Sequence, residues 1–276
     1  MNKANRFILL LLIVSIVIAD FSFAGNSRKR ISTIVNDFSN LSDVEAEISF
    51  GRELAARILG NYNVLDDEKT NRYVNLVGRA LALYAGRPEI EFYFAVLDSD
   101  EINAFAAPGG YIFITRGALM KMENEAQLAA VLGHEIAHVV KKHVVKELNI
   151  KGDDASAVGG IASLIGSATS SFRVALEQAL DQAVDILFYR GYKIADEIEA
   201  DRVGILLASV AGYDPLALRE FLNKTKGFEK EDKTYDGEHP IQEVRMREIN
   251  KILQINGLQD LKKAKVRERF HETITS

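Results

Sequence analysis

The sequence predicts an α+β domain made mostly of helix, with one small β-sheet. Three observations carry that reading. Apolar residues recur at helical spacing through successive segments of the chain. Two short runs, Ile90 to Leu97 and Tyr111 to Thr115, are instead dense in aromatic and aliphatic residues, as strands are. The composition, 47% apolar and 26% charged over 276 residues, is that of a globular chain with a substantial core, not of collagen, a coiled coil or a disordered tail.

The elements follow in order. Lys3 and Arg6, an apolar run from Phe7 to Ala19, and Ser22-Phe23-Ala24 before Gly25 form the three parts of a secretory signal peptide. Residues 1–24 are therefore expected to be removed. Thirteen apolar residues reach only about 20 Å as a helix, short of a hydrocarbon core of about 30 Å. Ser42-Asp43-Val44-Glu45 reads as a capping box for a helix to about Gly60. A second helix is expected from about Asp67 to Ala85, with Val74, Val77, Leu81 and Tyr84 on one stripe. The two strands come next, separated by the Pro108-Gly109-Gly110 turn. Asn124 can cap a helix running through His134 and His138 to about Leu148.

Gly152 to Ser171 is dominated by Gly, Ala and Ser, and suggests a mobile flap or a close-packed hairpin. Leu176, Leu180, Val184 and Leu187 restore helical spacing until Gly191. A further helix covers about Tyr192 to Ala211 and closes at Gly212, and Pro215 opens another. Lys224 to Glu238 reads as a solvated loop leading to His239-Pro240 and a helix to about Ile255. A last helix carries Lys262, Lys263, Lys265, Arg267 and Arg269, a solvated face or a strip for anionic headgroups. No repeat or linker divides the chain, so residues 25–276 are expected to form one domain with its motifs between about 42 and 255.

Composition also narrows the chemistry. A net charge of −5 argues against a nucleic-acid partner, whose footprint is basic. The absence of Cys excludes disulfides, thiolate metal sites and a cysteine nucleophile. What stands out is Gly133-His134-Glu135-Ile136-Ala137-His138. On a helix, His134 and His138 lie within about 40° of each other and can present two imidazoles to one ion, with Glu135 beside it. This is the H-E-x-x-H arrangement of zinc peptidases, in which the Glu takes a proton from metal-activated water. Composition alone would produce it in roughly 0.7% of such chains, so the spacing points to a metal.

A catalytic zinc usually takes a third protein ligand. His143, nine positions after His134, lies about 180° round the helix on the opposite face and is rejected as that ligand. The third ligand is then a carboxylate or one of His239 and His271. Asp196-Glu197-Ile198-Glu199-Ala200-Asp201 is the best source, because Glu197 and Asp201 share a helix face while Glu199 points away. One of the pair can bind the ion while the other accepts the free N–H of a ligating His.

With these residues in place, the chain resembles metallopeptidase family 48, the HtpX and CAAX prenyl protease type, in its soluble exported branch. The resemblance runs in order from about Ser42 to about Ile252. It rests on Glu45 with Gly51-Arg52, on Asn103-Ala104-Phe105-Ala106 with Pro108 to Phe113, and on Gly117-Ala118-Leu119. It continues through His134 to His138, Glu197 to Asp201, and His239-Pro240 with Arg245. The resemblance implies a zincin-like fold, with the sheet packed near the zinc-binding helix. It implies one zinc ion held by His134, His138 and Glu197, Glu135 as general base, and Asp201 orienting a ligand. It places Asn103, Ala104 and Phe105 along the cleft, where substrate backbone would pair as an added strand, and Arg245 on the substrate side. His239 would either donate to the developing oxyanion or occupy the open zinc position and hold the enzyme latent.

The implied protein is a zinc metalloendopeptidase of the periplasm, peripherally membrane-associated or bound to an envelope complex, acting on unfolded or misassembled envelope proteins. Two departures bear on this. Gly152 to Ser171 cannot supply the spanning helices of membrane members, and only about 31 residues follow Arg245, where a related exported branch has a helical-repeat domain. Prenylated-peptide processing is therefore not expected. The competing reading is an envelope chaperone or assembly factor with a latent or structural zinc site.

Overall fold

The computed structural model describes residues 41–152, 170–226 and 241–274. In chain order the elements are α1 (Leu41–Leu59), α2 (Glu68–Ala82), β1 (Tyr93–Leu97), β2 (Ala104–Ala107), β3 (Tyr111–Thr115) and α3 (Arg116–Lys121). They continue with α4 (Glu125–Lys141), α5 (His143–Glu147), α6 (Ser170–Val184), α7 (Ile194–Val210), α8 (Ala217–Thr225), α9 (Ile241–Ile255) and α10 (Arg267–Ile274). A mostly helical α+β fold is what the sequence predicts. Among the described residues no helix is long and apolar enough to cross a membrane. Most of the Gly152–Ser171 stretch, the loop before His239 and His239 itself lie outside the described residues.

The sheet has the order β1-β3-β2. β1 runs parallel to β3, with Tyr93 opposite Tyr111 and Leu97 opposite Thr115. β2 runs antiparallel to β3, with Ala104 opposite Ile114 and Ala107 opposite Tyr111. The two expected strands are thus not joined by the Pro-Gly-Gly turn. That turn links β3 to β2, a strand whose Ala-Phe-Ala-Ala sequence carries little strand preference of its own.

Alternation along the strands divides the core. Phe94, Val96, Ala106, Ile112 and Ile114 join one buried cluster with α2, α4 and α7. Leu97, Phe105, Ala107 and Phe113 join the other, with α1 and α6. A sheet covered on both faces needs apolar side chains at every position, so its strands read as unbroken apolar runs.

The helix α4 passes through the middle. Asn124 caps it by accepting from the Gln127 N–H at 3.1 Å, and every residue from Glu125 to Val140 is buried. It ends earlier than its spacing suggests. Lys142 adopts a left-handed conformation (φ 58°, ψ 39°), and a separate short helix, α5, starts at His143. Behind α4 lies α7, whose backbone reaches that of α4 at two glycines. A Cβ on Gly204 would lie 2.7 Å from the His134 nitrogen, so only hydrogen fits there.

The turn before β3 is held by a buried ion pair. Arg87 Nη2 donates to Glu47 Oε2 of α1 at 2.9 Å and Arg87 Nη1 to the Val139 carbonyl of α4 at 3.2 Å, while Glu47 accepts from Gly109 N–H. At Gly51 an added Cβ would fall 1.8 Å from the Pro108 carbonyl oxygen, which accounts for the glycine in α1. The expected C-terminal helix is shorter than its charges suggest: α10 starts at Arg267, and Lys262, Lys263 and Lys265 precede it.

Candidate metal centre

One helical turn separates His134 and His138 on α4, and their Nε2 atoms converge to 3.0 Å. Glu197, in the first turn of α7, enters the same space. Its Oε2 lies 3.5 Å from His134 Nε2 and its Oε1 3.8 Å from His138 Nε2. One ligand atom from each of the three residues falls within 4.8 Å of the others. Four-coordinate zinc with ligand bonds of about 2.0–2.1 Å sets its ligand atoms about 3.3–3.4 Å apart. The observed separations bracket that edge, and two imidazoles with one carboxylate are a donor set that suits the ion. The residues present fit a divalent metal.

The outward nitrogens of both imidazoles are also engaged. His134 Nδ1 lies 2.9 Å from Asp201 Oδ1, one turn beyond Glu197 on α7, although the contact is not aligned as a hydrogen bond. Arg245 on α9 locks both carboxylates in place. Its Nε donates to Asp201 Oδ2 at 2.9 Å and its Nη2 to Asp201 Oδ1 at 2.7 Å, and its Nη1 lies 2.9 Å from Glu197 Oε2. The resemblance set Arg245 toward substrate. The structure puts its guanidinium on the acids of α7, at the wall of the cleft.

His138 Nδ1 meets His143 Nδ1 at 2.9 Å. Sequence reasoning set His143 aside because a continuing helix would carry it to the far side. The break at Lys142 brings it back against His138, without placing it in the ligand group. Glu199, expected to point away, pairs with Lys141 at 2.9 Å and lies 3.2 Å from His143 Nε2. The ring of Tyr192 stacks on His138 at 3.9 Å. Neither Tyr192 nor Gly204 carried a sequence signal, since spacing does not reveal which aromatic ring or which glycine meets the metal helix.

The charges are arranged for a cation. Burial opposes ionisation of Glu197, but Arg245 and the two histidines hold its carboxyl well below the ordinary range. Asp201 is likewise lowered, burial being outweighed by Arg245 and His134. In the metal-free protein, burial alone would depress His134, yet the contacts with Asp201 and Glu197 raise it to about 10. His138 goes the other way, depressed by burial and by the charge on His134. Glu135, buried beside the group, is pushed up to about 7, chiefly by desolvation.

His134, Glu135, His138 and Glu197 open on one cleft of about 540 Å³. Asn103, Ala104 and Phe105 form one wall, and Leu218, Phe221 and Leu222 an apolar wall on α8. Among the described residues β2 pairs with β3 alone, leaving its other edge unpaired. His271 sits on α10 beside Phe270 and takes no part in the group.

The site brings together two histidines and one glutamate that could hold a metal ion, with a desolvated carboxyl at their side. The profile of peptidase family M48 matches residues 68–253, and the chain belongs to that family. It is 30% identical over 182 residues to the beta-barrel assembly-enhancing protease of Escherichia coli (strain K12), covering 64% of this chain and 37% of that one. It is 27% identical over 231 residues to the mitochondrial metalloendopeptidase OMA1 of Schizosaccharomyces pombe, covering 83% of this chain and 65% of that one. With the mitochondrial metalloendopeptidase OMA1 of Bos taurus it shares 33% identity over 138 residues, 49% of this chain and 26% of that one. The chain thus spans less than two fifths of the length of the assembly-enhancing proteases it matches.

Proposed function

We propose that the chain is a zinc-dependent metalloendopeptidase of the cell envelope that hydrolyses exposed segments of misfolded or misassembled proteins. The observation that carries the chemistry is the convergence of His134, His138 and Glu197 with Glu135 buried in the same cleft. When bound by those three residues, zinc supplies Lewis-acid polarisation of the scissile carbonyl and makes water acidic enough to lose a proton near neutral pH. Glu135 accepts that proton and passes it to the leaving amine. Burial already raises this carboxyl in the metal-free protein, and a carboxyl of raised proton affinity is suited to taking the proton and handing it on. The free edge of β2 offers backbone groups to an extended substrate, which favours unfolded segments over folded ones.

The choice of substrate leans on the relatives' names and on the leader-like N-terminal segment, which directs the chain out of the cytoplasm. Beside the resemblance, the three carboxylate and imidazole ligands favour zinc over harder cations, which prefer oxygen. Cleavage of an unfolded casein-type substrate tests the reading. The zinc-loaded protein is expected to cut, and Glu135→Gln to bind zinc equally while losing about 10²–10⁴-fold in rate. If both bind zinc and neither cuts, the chaperone or assembly-factor reading replaces this one.

A further inference from the structure

Resting on the zinc-centre reading above, we propose that His143 is the positioning residue for His138. It fixes the tautomer and ring orientation of that ligand by relaying it to Glu199. A histidine that gives its Nε2 lone pair to a metal carries its remaining proton on Nδ1, and that N–H needs an acceptor. For His138 the atom at hydrogen-bond distance is His143 Nδ1, 2.9 Å away, with both rings buried. His143 can accept there only if its own proton is on Nε2. That nitrogen lies 3.2 Å from Glu199 Oε2 and 3.8 Å from Asp196 Oδ1. The chain of donors therefore has a single consistent direction: His138 Nδ1–H to His143 Nδ1, then His143 Nε2–H to Glu199.

The two ligating histidines are thus supported by different means. His134 faces a carboxylate directly, whereas His138 faces a neutral ring that passes the pull of a carboxylate set one side chain further out. Charge explains the difference. Glu197, Asp201 and Glu135 already place three carboxyl groups around the site, and a fourth buried acid would have no cation of its own. Glu199 is about one third exposed and is paired with Lys141 at 2.9 Å, so its charge is tolerated where it stands. Tyr192 completes the mounting. Its ring stacks on His138 at 3.9 Å and meets His143 edge-on at 6.0 Å, so it packs against both imidazoles.

The test is zinc affinity, measured by competition with a chromophoric chelator, with the melting temperature of each metal-free protein as the control for folding. His143→Leu removes the acceptor. His143→Asn keeps an amide oxygen near the Nδ1 position, and Glu199→Ala removes the outer carboxylate from a partly exposed site. His143→Leu is expected to bind zinc about 10–100-fold more weakly, His143→Asn to recover most of that loss, and Glu199→Ala to fall between them. The proposal is overturned if His143→Leu binds as tightly as wild type, or if His143→Asn is no better than His143→Leu. Should His143→Leu fail to fold, unchanged affinity in Glu199→Ala overturns it, and weakened affinity supports it. Failure of the wild type to bind zinc overturns the proposed function instead, which keeps the two outcomes apart.

Discussion

At the scale of single residues, Lys142 decides where the metal helix stops. Its N–H still donates to the carbonyls of His138 and Val139, ending the helix, while its left-handed backbone turns the following chain so that His143 falls back on His138. A residue with a Cβ is disfavoured in this conformation by about 1–2 kcal/mol, a β-branched one most, whereas Gly has no Cβ and escapes the penalty. Lys142→Gly is expected to raise stability by up to about 1 kcal/mol, and Lys142→Val to lower it by about 1–2 kcal/mol. Urea unfolding of the metal-free proteins reads both. Equal stability of the Gly and Val variants would refute the account. The same residue marks a limit of sequence reading. His134, Glu135 and His138 are legible because helical spacing fixes their relation, and Glu197 with Asp201 for the same reason. His143 is not, because lysine gives no sign of a left-handed turn, and the angular argument against it holds only if the helix continues.

At the scale of elements, the centre exists because α4 and α7 cross with backbones touching. Gly133 and Gly204 face each other at the crossing, and the acids one and two turns before Gly204 reach His134 beside Gly133. A methyl at Gly204 would sit 2.7 Å from the His134 nitrogen and 2.8 Å from its Cα, positions that backbone atoms cannot yield. The helices must separate instead. Gly204→Ala is expected to cost about 1–3 kcal/mol in stability and to weaken zinc binding, since Glu197 moves away with α7. Zinc competition and thermal unfolding check this, and a variant that binds zinc normally would show that the crossing does not set the ligand spacing. Helices such as α2, α4 and α7 could be placed from apolar spacing and caps. β2 could not, since Ala104 to Ala107 becomes a strand through pairing with β3 rather than through its own preferences.

At the scale of the whole molecule, the last segment of the chain secures the start of the metal helix. The Glu125 carboxylate, fully buried in the first turn of α4, accepts from Tyr73 of α2, from Tyr213 at 2.7 Å and from Arg269 Nε of α10 at 2.7 Å. The backbone follows the same route, with Ala126 N–H donating to the Lys265 carbonyl at 3.1 Å. The basic strip is largely spent on this closure. Lys263 reaches the Ser209 carbonyl, Lys265 lies 2.7 Å from Glu220 and Arg269 holds Glu125, so the strip serves packing more than an outside surface. Burial raises the Glu125 carboxyl, but Arg269 and the two tyrosine hydroxyls outweigh it and leave it below its ordinary 4.5. A carboxyl lowered by folding adds stability above its unfolded value, and that contribution is lost as pH falls through the folded one. Arg269 lowers the carboxyl most but is well exposed and screened by solvent, so a substantial share of the stability comes from the Tyr73 and Tyr213 hydroxyls, which lose a charged acceptor when Glu125 is neutral. Glu125→Gln is therefore expected to be about 1–3 kcal/mol less stable than wild type at pH 7. The gap should begin to narrow near pH 4.5, where the unfolded carboxyl takes up its proton, and close only as pH falls through the lower value of the folded one. Urea midpoints of both proteins across that range decide it, and a gap that stays constant with pH would show that the carboxylate charge is not what ties the C-terminal segment to the metal helix.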